Sequence, residues 1–276
     1  MNQLGRVGVW SMELRNAGRP EIRDAAAELD ELGWRTIWLP GLDGTGVLDA
    51  VDKLLVAAPN AQVATGVLNI WGQPAATLKP WAAARQDRVL LGLGIGSPAG
   101  AAAHGLDYGN PVASMSHYLD ELGPGRQLLG ALGPRMVDLA VRRTAGWHPF
   151  LVTPDYVSSY RQRVGPDPLI APHQAVYLGT DVAAARAAAR AGVGMFLGFP
   201  TYRNNLKRLG FTDDDLAPGG SDRLIDALVA HGTADDIARR VQEHLDAGAD
   251  HVALHVLSPS LPRTQWRELA FLSKEN

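Results

Sequence analysis

The chain has 276 residues, 46% of them hydrophobic and 20% charged, enough to bury a substantial core in one domain the size of a β/α barrel. It contains no cysteine, which excludes a disulfide framework, zinc–thiolate sites, iron–sulfur clusters and thiol nucleophiles. A formal net charge of −3 gives no long-range attraction for nucleic acid or anionic lipid. The opening stretch MNQLGRVGVWSMEL lacks the charged start, apolar core and cleavage site of a secretory signal, and no apolar run approaches the roughly 20 residues needed to cross a bilayer. These features predict a cytoplasmic protein with neither nucleic acid nor membrane as partner.

Taken in chain order, the first strand candidate is 7–10. A helix follows, with Pro20 in its first turn and Ile22, Ala25, Ala26, Leu29 and Leu32 on one face. Gly33 supplies a left-handed C-terminal residue, and the strand 36–40 follows at once. Further strands are expected at 62–68, 89–95, 127–132, 147–152, 174–179 and 251–256. Gly146, Gly192 and Gly248 repeat the helix–glycine–strand junction seen at Gly33. The run MFLGF (195–199) is ambiguous between strand and buried helix. About seventy residues separate the seventh and eighth strands, holding TYRNNLKRLGF, a polar turn TDDDLAPGG and the helix candidate SDRLIDALVAHG; loops of β/α barrels carry such insertions. Thr233 with Asp236 forms a near capping box ahead of Ile237, Val241 and Leu245. Eight near-continuous apolar strands alternating with helices predict a parallel sheet and an α/β fold, a single-domain (β/α)8 TIM barrel with a helical insertion between strands 7 and 8.

Several segments, ATGVLNIW (64–71), VLLGLGIGSP (89–98), YLDELGPGRQLLGALGPRMVDLA (118–140), AGWHPFLVTP (145–154) and SDRLIDALVAHG with HLDAGADHV, resemble the luciferase-like monooxygenase superfamily, and within it the F420-dependent oxidoreductase branch. The similarity runs in order through nearly the whole chain, and LGALGPRMVDLA is its most specific part. The resemblance implies that the barrel's open end takes coenzyme F420, with FMN as the alternative, and passes hydride to or from a small organic substrate. It also implies a phosphate seat on Leu132-Gly133-Pro134-Arg135-Met136. The physical reason is that this turn opens a helix whose free N–H groups and dipole favour an anion. A Gly-Pro pair is also an ordinary helix start.

By the same resemblance the cofactor ring lies over Asn69 and over Gly94, Ile95, Gly96 and Ser97. An equal reading is that the glycines relieve crowding in the interior of the barrel. A dinucleotide fingerprint is a weak reading there, since no acidic residue follows a second strand at the expected distance and no helix opens as required. Trp10, Trp71 and Leu151 are expected as pocket walls. The resemblance further implies an unusual peptide bond near the end of the third strand, and frequent dimers.

Relatives are expected to carry an acidic residue or histidine after the second strand and a histidine near the end of the fourth. Here those places read Leu39-Pro40-Gly41 and Gly96-Ser97-Pro98, so the proton-handling groups are missing. A non-catalytic cofactor-binding or small-molecule-binding protein on the same barrel is therefore an alternative, and a barrel acting on a phosphorylated substrate a third. No metal site is expected: His251 and His255 stand about 13 Å apart at ~3.3 Å per strand residue, too far to share an ion. His148 and His173 read as ordinary hydrogen-bonded residues, Ser11, Ser97 and Ser114 sit in no nucleophile elbow, and Thr212–Leu216 reads as a helix cap with a solvated turn.

Overall fold

The structure is a computed structural model and describes residues 4–274 apart from 43 and 86. In chain order its strands are β1 (Val7–Trp10), β2 (Thr36–Leu39), β3 (Gln62–Thr65), β4 (Leu68–Asn69), β5 (Val89–Gly94), β6 (Gln127–Leu129), β7 (Gly146–Trp147), β8 (Leu169–Ile170), β9 (His173–Leu178), β10 (Val229–Gly232) and β11 (Val252–Val256). Helices separate most of them, giving the predicted alternation. The chain divides into two compact units, 10–148 and 1–9 with 149–276.

In the unit 10–148, β2 pairs with β3, β3 with β5, β5 with β6 and β6 with β7, all parallel. Side chains of β2, β3, β5 and β6 are buried along their whole length, as parallel strands covered by helices require. The helix Pro20–Glu31 begins on Pro20 and buries Ile22, Ala25, Ala26 and Leu29, the face expected from its spacing. Gly33 adopts φ +91° and ends it, so Thr36 can enter the sheet five residues after the helix.

In the other unit, β9 lies between β10 and β11, and β11 also pairs with β1, again parallel throughout. The insertion between β9 and β11 holds the helices Val182–Val193, Pro200–Arg208 and Asp222–Leu228, which bury Val193, Leu206, Leu224, Ile225 and Leu228 in one apolar cluster. Thr233 and Asp236 complete a reciprocal capping box at the start of the helix Ala234–Asp246. Among the described residues no single helix is long and apolar enough to cross a membrane.

Several expectations are corrected. The strand 62–68 is broken: β3 ends at Thr65, the Gly66–Val67 peptide is cis, and pairing resumes at Leu68. The strand 147–152 shrinks to Gly146–Trp147, because Pro149 follows and Leu151 turns left-handed at φ +55°. The strand 127–132 stops at Leu129. The first four residues of MFLGF lie in a 3-10 helix, Gly194–Gly198, and Phe199 is extended. The segment VAHG does not continue the helix Asp222–Leu228; it is β10, an added strand hydrogen-bonded along β9. Gly192 lies inside the helix Val182–Val193, and the reason for a glycine there is packing, since a Cβ would stand 2.7 Å from Leu257 Cδ2. Asp215 is not a solvated cap: it is 8% exposed and accepts hydrogen bonds from Thr212, Ser221 and Arg223, which hold its carboxyl down at about 2.

Candidate functional site

The strand ends of the unit 10–148 bring most of the predicted site residues together. β4 pairs with β5 through Leu68↔Leu93 and Asn69↔Gly94, and β5 pairs with β6 through Leu93↔Leu129. The chain leaving β6 is held to β5 by Gly130 N–H donating to Leu93 O at 2.8 Å. Asn69, Gly94–Ser97 and the turn before the helix Pro134–Arg143 therefore leave adjacent strands in the same direction.

Asn69 serves two purposes. Its Oδ1 accepts from Trp71 N–H at 3.2 Å, starting a short 3-10 turn, and its amide lies against Gly96. Gly96 has φ +59°, and a Cβ there would fall 2.9 Å from Asn69 Oδ1, so glycine is required for both conformation and room. Trp71 donates its indole N–H to Ile95 O at 2.6 Å and leans on Tyr108, with ring centres 5.9 Å apart. Ser97 spends its hydroxyl locally, accepting from Gly100 N–H at 3.1 Å.

The glycines of β5 answer the question of crowding. A Cβ on Gly94 would stand 2.4 Å from Val67 Cγ2, and one on Gly130 would stand 3.1 Å from the same atom. A Cβ on Gly92 would meet Thr65 O at 1.9 Å. Gly92, Gly94 and Gly130 thus make room for the backbone after β3 and for the half-buried Val67 side chain.

The helix Pro134–Arg143 has Gly133 at its N-cap in extended conformation, with no side-chain cap. Pro134 lacks an N–H, so the first free donors are the backbone groups of Arg135 and Met136. Gly133 and Met136 are half-exposed, Pro134 and Arg135 exposed, and Leu132 is buried at 6%. An uncapped, accessible helix start beside an arginine has the electrostatics of an anion seat.

Trp10 is 3% exposed and donates from Nε1 to Gly66 O at 3.3 Å, so it supports the cis peptide from beneath. Leu151 lies in the other unit, 2% exposed within that unit's apolar cluster. At Gly41, in the place after β2, a Cβ would meet Val67 O at 2.3 Å and Leu68 Cα at 2.6 Å, so no side chain fits at that one position.

Two histidine placements were not legible as site features. His148 follows β7, stacks on Trp38 with centroids 4.4 Å apart, and brings Nε2 to 2.9 Å from where a Cβ on Gly66 would stand. The signal available was its position directly after a strand. In the other unit, His173 Nε2 and His255 Nδ1 share a hydrogen bond at 3.1 Å, while His251 Nδ1 bonds Gly5 O at 2.7 Å. The partner of His255 is thus on β9, a pairing that spacing along β11 does not reveal. Among the described residues no cluster of three or more His, Asp or Glu side chains is placed to hold a metal ion.

No protein-family model matches the sequence, and no curated protein matches it either. Solved structures do. An F420-dependent secondary alcohol dehydrogenase in complex with an F420–acetone adduct is 13% identical, with a TM-score of 0.68 over 97% of each chain. Coenzyme F420-dependent tetrahydromethanopterin reductase from Methanopyrus kandleri is 14% identical, with a TM-score of 0.72 over 98% of each chain. The oxygenating constituent of 3,6-diketocamphane monooxygenase from Pseudomonas putida, a type II Baeyer–Villiger enzyme in complex with FMN, is 14% identical, with a TM-score of 0.66 over 99% of this chain and 97% of that one. By fold, then, this chain is α/β of the TIM-barrel type, the fold it shares with these F420-dependent and FMN-binding structures.

Proposed function

We propose that the chain is an oxidoreductase that binds coenzyme F420, with FMN as the alternative, and moves hydride between it and a small organic molecule. The observation that carries this reading is the uncapped helix start at Gly133–Met136, set beside the strand ends that present Asn69 and Gly94–Ser97. The fit is chemical: both cofactors pair a phosphate with a flat polar ring. The N–H groups of Arg135 and Met136, with the Arg135 guanidinium, suit the phosphate. The amide of Asn69 and the backbone of Gly94–Ser97 suit the ring's edge. Such a cofactor supplies the hydride chemistry itself.

The chain's own residues bind and orient. Trp71 holds the turn after β5 through Ile95 O, and Gly96 keeps that turn open over Asn69. Residues 94–97 supply no titratable side chain, so proton exchange falls to the substrate or to solvent. That same feature favours the second reading, a cofactor-binding protein without turnover on the same barrel.

The deciding experiment is titration with F420 and separately with FMN, followed by tryptophan quenching, in the wild type and in Gly133→Asp. Aspartate is an accepted N-cap and suits the extended backbone of Gly133, so the variant should fold while repelling phosphate. Saturable binding abolished by Gly133→Asp supports the reading; absence of binding of either cofactor sinks it. Reduction or oxidation of bound F420 by candidate alcohols and carbonyl compounds then separates an enzyme from a binding protein.

A further inference from the structure

In the unit 1–9 with 149–276, β10 is the last strand of the run β10-β9-β11-β1 and has a neighbour on one side only. The ladder tells which of its main-chain groups face outward. Gly179 N–H donates to Gly232 O at 2.9 Å, so Gly232 turns its main-chain groups towards β9. Such groups alternate sides along a strand, so Ala230 faces β9 as well, and Val229 and His231 face away. The Val229 N–H is taken by Ile225 O, at the end of the helix Asp222–Leu228. Val229 O, His231 N–H and His231 O are thus directed off the edge, with no partner among the described residues.

A cleft of about 220 Å³ lies against this edge. Val229, Ala230 and His231 line it, together with Asp226 and with Asp236, Arg239, Arg240 and Glu243 of the helix Ala234–Asp246. The charged walls already satisfy one another or a neighbour. Asp226 holds Arg186 through both oxygens at 2.9 and 2.6 Å, Asp236 holds Arg239 at 2.6 Å, and Glu243 holds Arg240 at 2.8 Å. With each charge facing its opposite, the cleft has no unpaired charge to draw in a free ion. The unmet hydrogen-bonding capacity is that of the main chain, in the order acceptor, donor, acceptor.

We infer that this cleft takes a short extended peptide, whose main chain adds beside β10 and meets His231 with one N–H and one C=O. A peptide offers both groups at strand spacing, and a sheet edge binds it through them. His231 is half-exposed, so a ligand can reach it. The outward groups span only Val229 and His231 and are flanked by charged side chains, so the edge accepts a few residues and not the long strand of another sheet. This inference does not depend on the oxidoreductase reading.

The test titrates the intact chain, without cofactor, with N-acetyl-trialanine amide, a neutral peptide, and follows the backbone amide NMR signals. The expected result is saturable shifts centred on His231 and its neighbours in β10. His231→Pro deletes the outward N–H and leaves the bonds to β9 in place, as an edge strand allows. It should weaken the peptide by about threefold to tenfold, one hydrogen bond's worth. His231→Ala is the control: the ring stands 4.0 Å from Asp226 Oδ1, beyond hydrogen bonding, so affinity should stay within about twofold. The same peptide methylated on every alanine nitrogen tests the pairing from the ligand's side and should also bind about threefold to tenfold more weakly. That arm decides the matter if circular dichroism shows His231→Pro to be unfolded. No saturable shift at β10, shifts centred elsewhere, equal binding of the methylated peptide, or wild-type affinity in a folded His231→Pro would each overturn the inference. None of these outcomes bears on the F420 titration.

Discussion

Gln174 and His244 are hydrogen-bonded to one another between a strand and the helix that covers it. The Gln174 amide nitrogen donates to Ala175 O at 2.7 Å and Leu228 O at 3.0 Å, so its Oε1 is left to accept from His244 Nε2 at 2.8 Å. Both residues are fully buried. Replacing Gln174 by leucine leaves the imidazole N–H without its partner in an apolar setting. The expected loss is about 2–4 kcal/mol, read from urea unfolding midpoints. The double variant Gln174→Leu/His244→Leu should recover part of it, because the orphaned donor goes too.

Acid should unfold the protein through its buried histidines. Burial lowers His244 to about 3 and His251 to about 4, from an ordinary value of 6.5. A base with a depressed folded-state pKa contributes full stability above the unfolded value and loses it as pH falls from there towards the folded value. Between about pH 6 and pH 4 each should therefore cost about 1.4 kcal/mol per pH unit, as the unfolded chain takes up protons the native state refuses. His251→Gln should flatten the measured slope by about one such increment; an unchanged slope would remove His251 from this account.

The contact between Gly94 and Val67 is a side-chain contact and can be relieved, whereas the one between Gly92 and Thr65 is with backbone and cannot. Gly94→Ala is expected to destabilise by about 1–3 kcal/mol, and Val67→Ala should rescue much of that loss. Gly92→Ala should be at least as costly with or without Val67→Ala. A thermal unfolding series over the five proteins checks both statements.

Trp71→Phe removes the 2.6 Å bond to Ile95 O while keeping an aromatic ring beside Tyr108. If the turn 94–97 bears on the cofactor ring, F420 affinity should fall by about fivefold to tenfold, one hydrogen bond's worth of positioning. Stability should change little, because Trp71 is only half-buried. Unchanged affinity would detach this turn from the cofactor.

The sequence carried the alternation of strands and helices because each signal is local. Gly33 and Gly248 adopt the left-handed conformation their junctions demand, and Pro20 and Thr233 start helices where their chemistry says they should. Gly192 carries the same residue signal for a different cause, the approach of Leu257 from sixty-five positions away in the chain. The strand Val229–Gly232 escaped because four residues at the end of an apolar helix look like more helix until β9 is known to lie alongside. For the site, the helix start at Gly133 and the small residues of 94–97 were readable. The role of Val67, the stacking of His148 on Trp38 and the His173–His255 pair are contacts between distant segments, and no local pattern announces them.

The convergence on Val67 also constrains how this chain can drift over evolutionary time. Gly94 and Gly130 leave space for one side chain, so a branched residue at 67 and glycine at those two places form a single unit of inheritance. A lineage that acquires alanine at 94 must first, or soon after, shrink the residue at 67, whereas alanine at 130 asks Val67 to give by only a few tenths of an ångström. Position 67 should therefore co-vary with 94 and 130 among close homologues, whereas Gly92, pressed against a carbonyl no substitution can remove, should stay fixed.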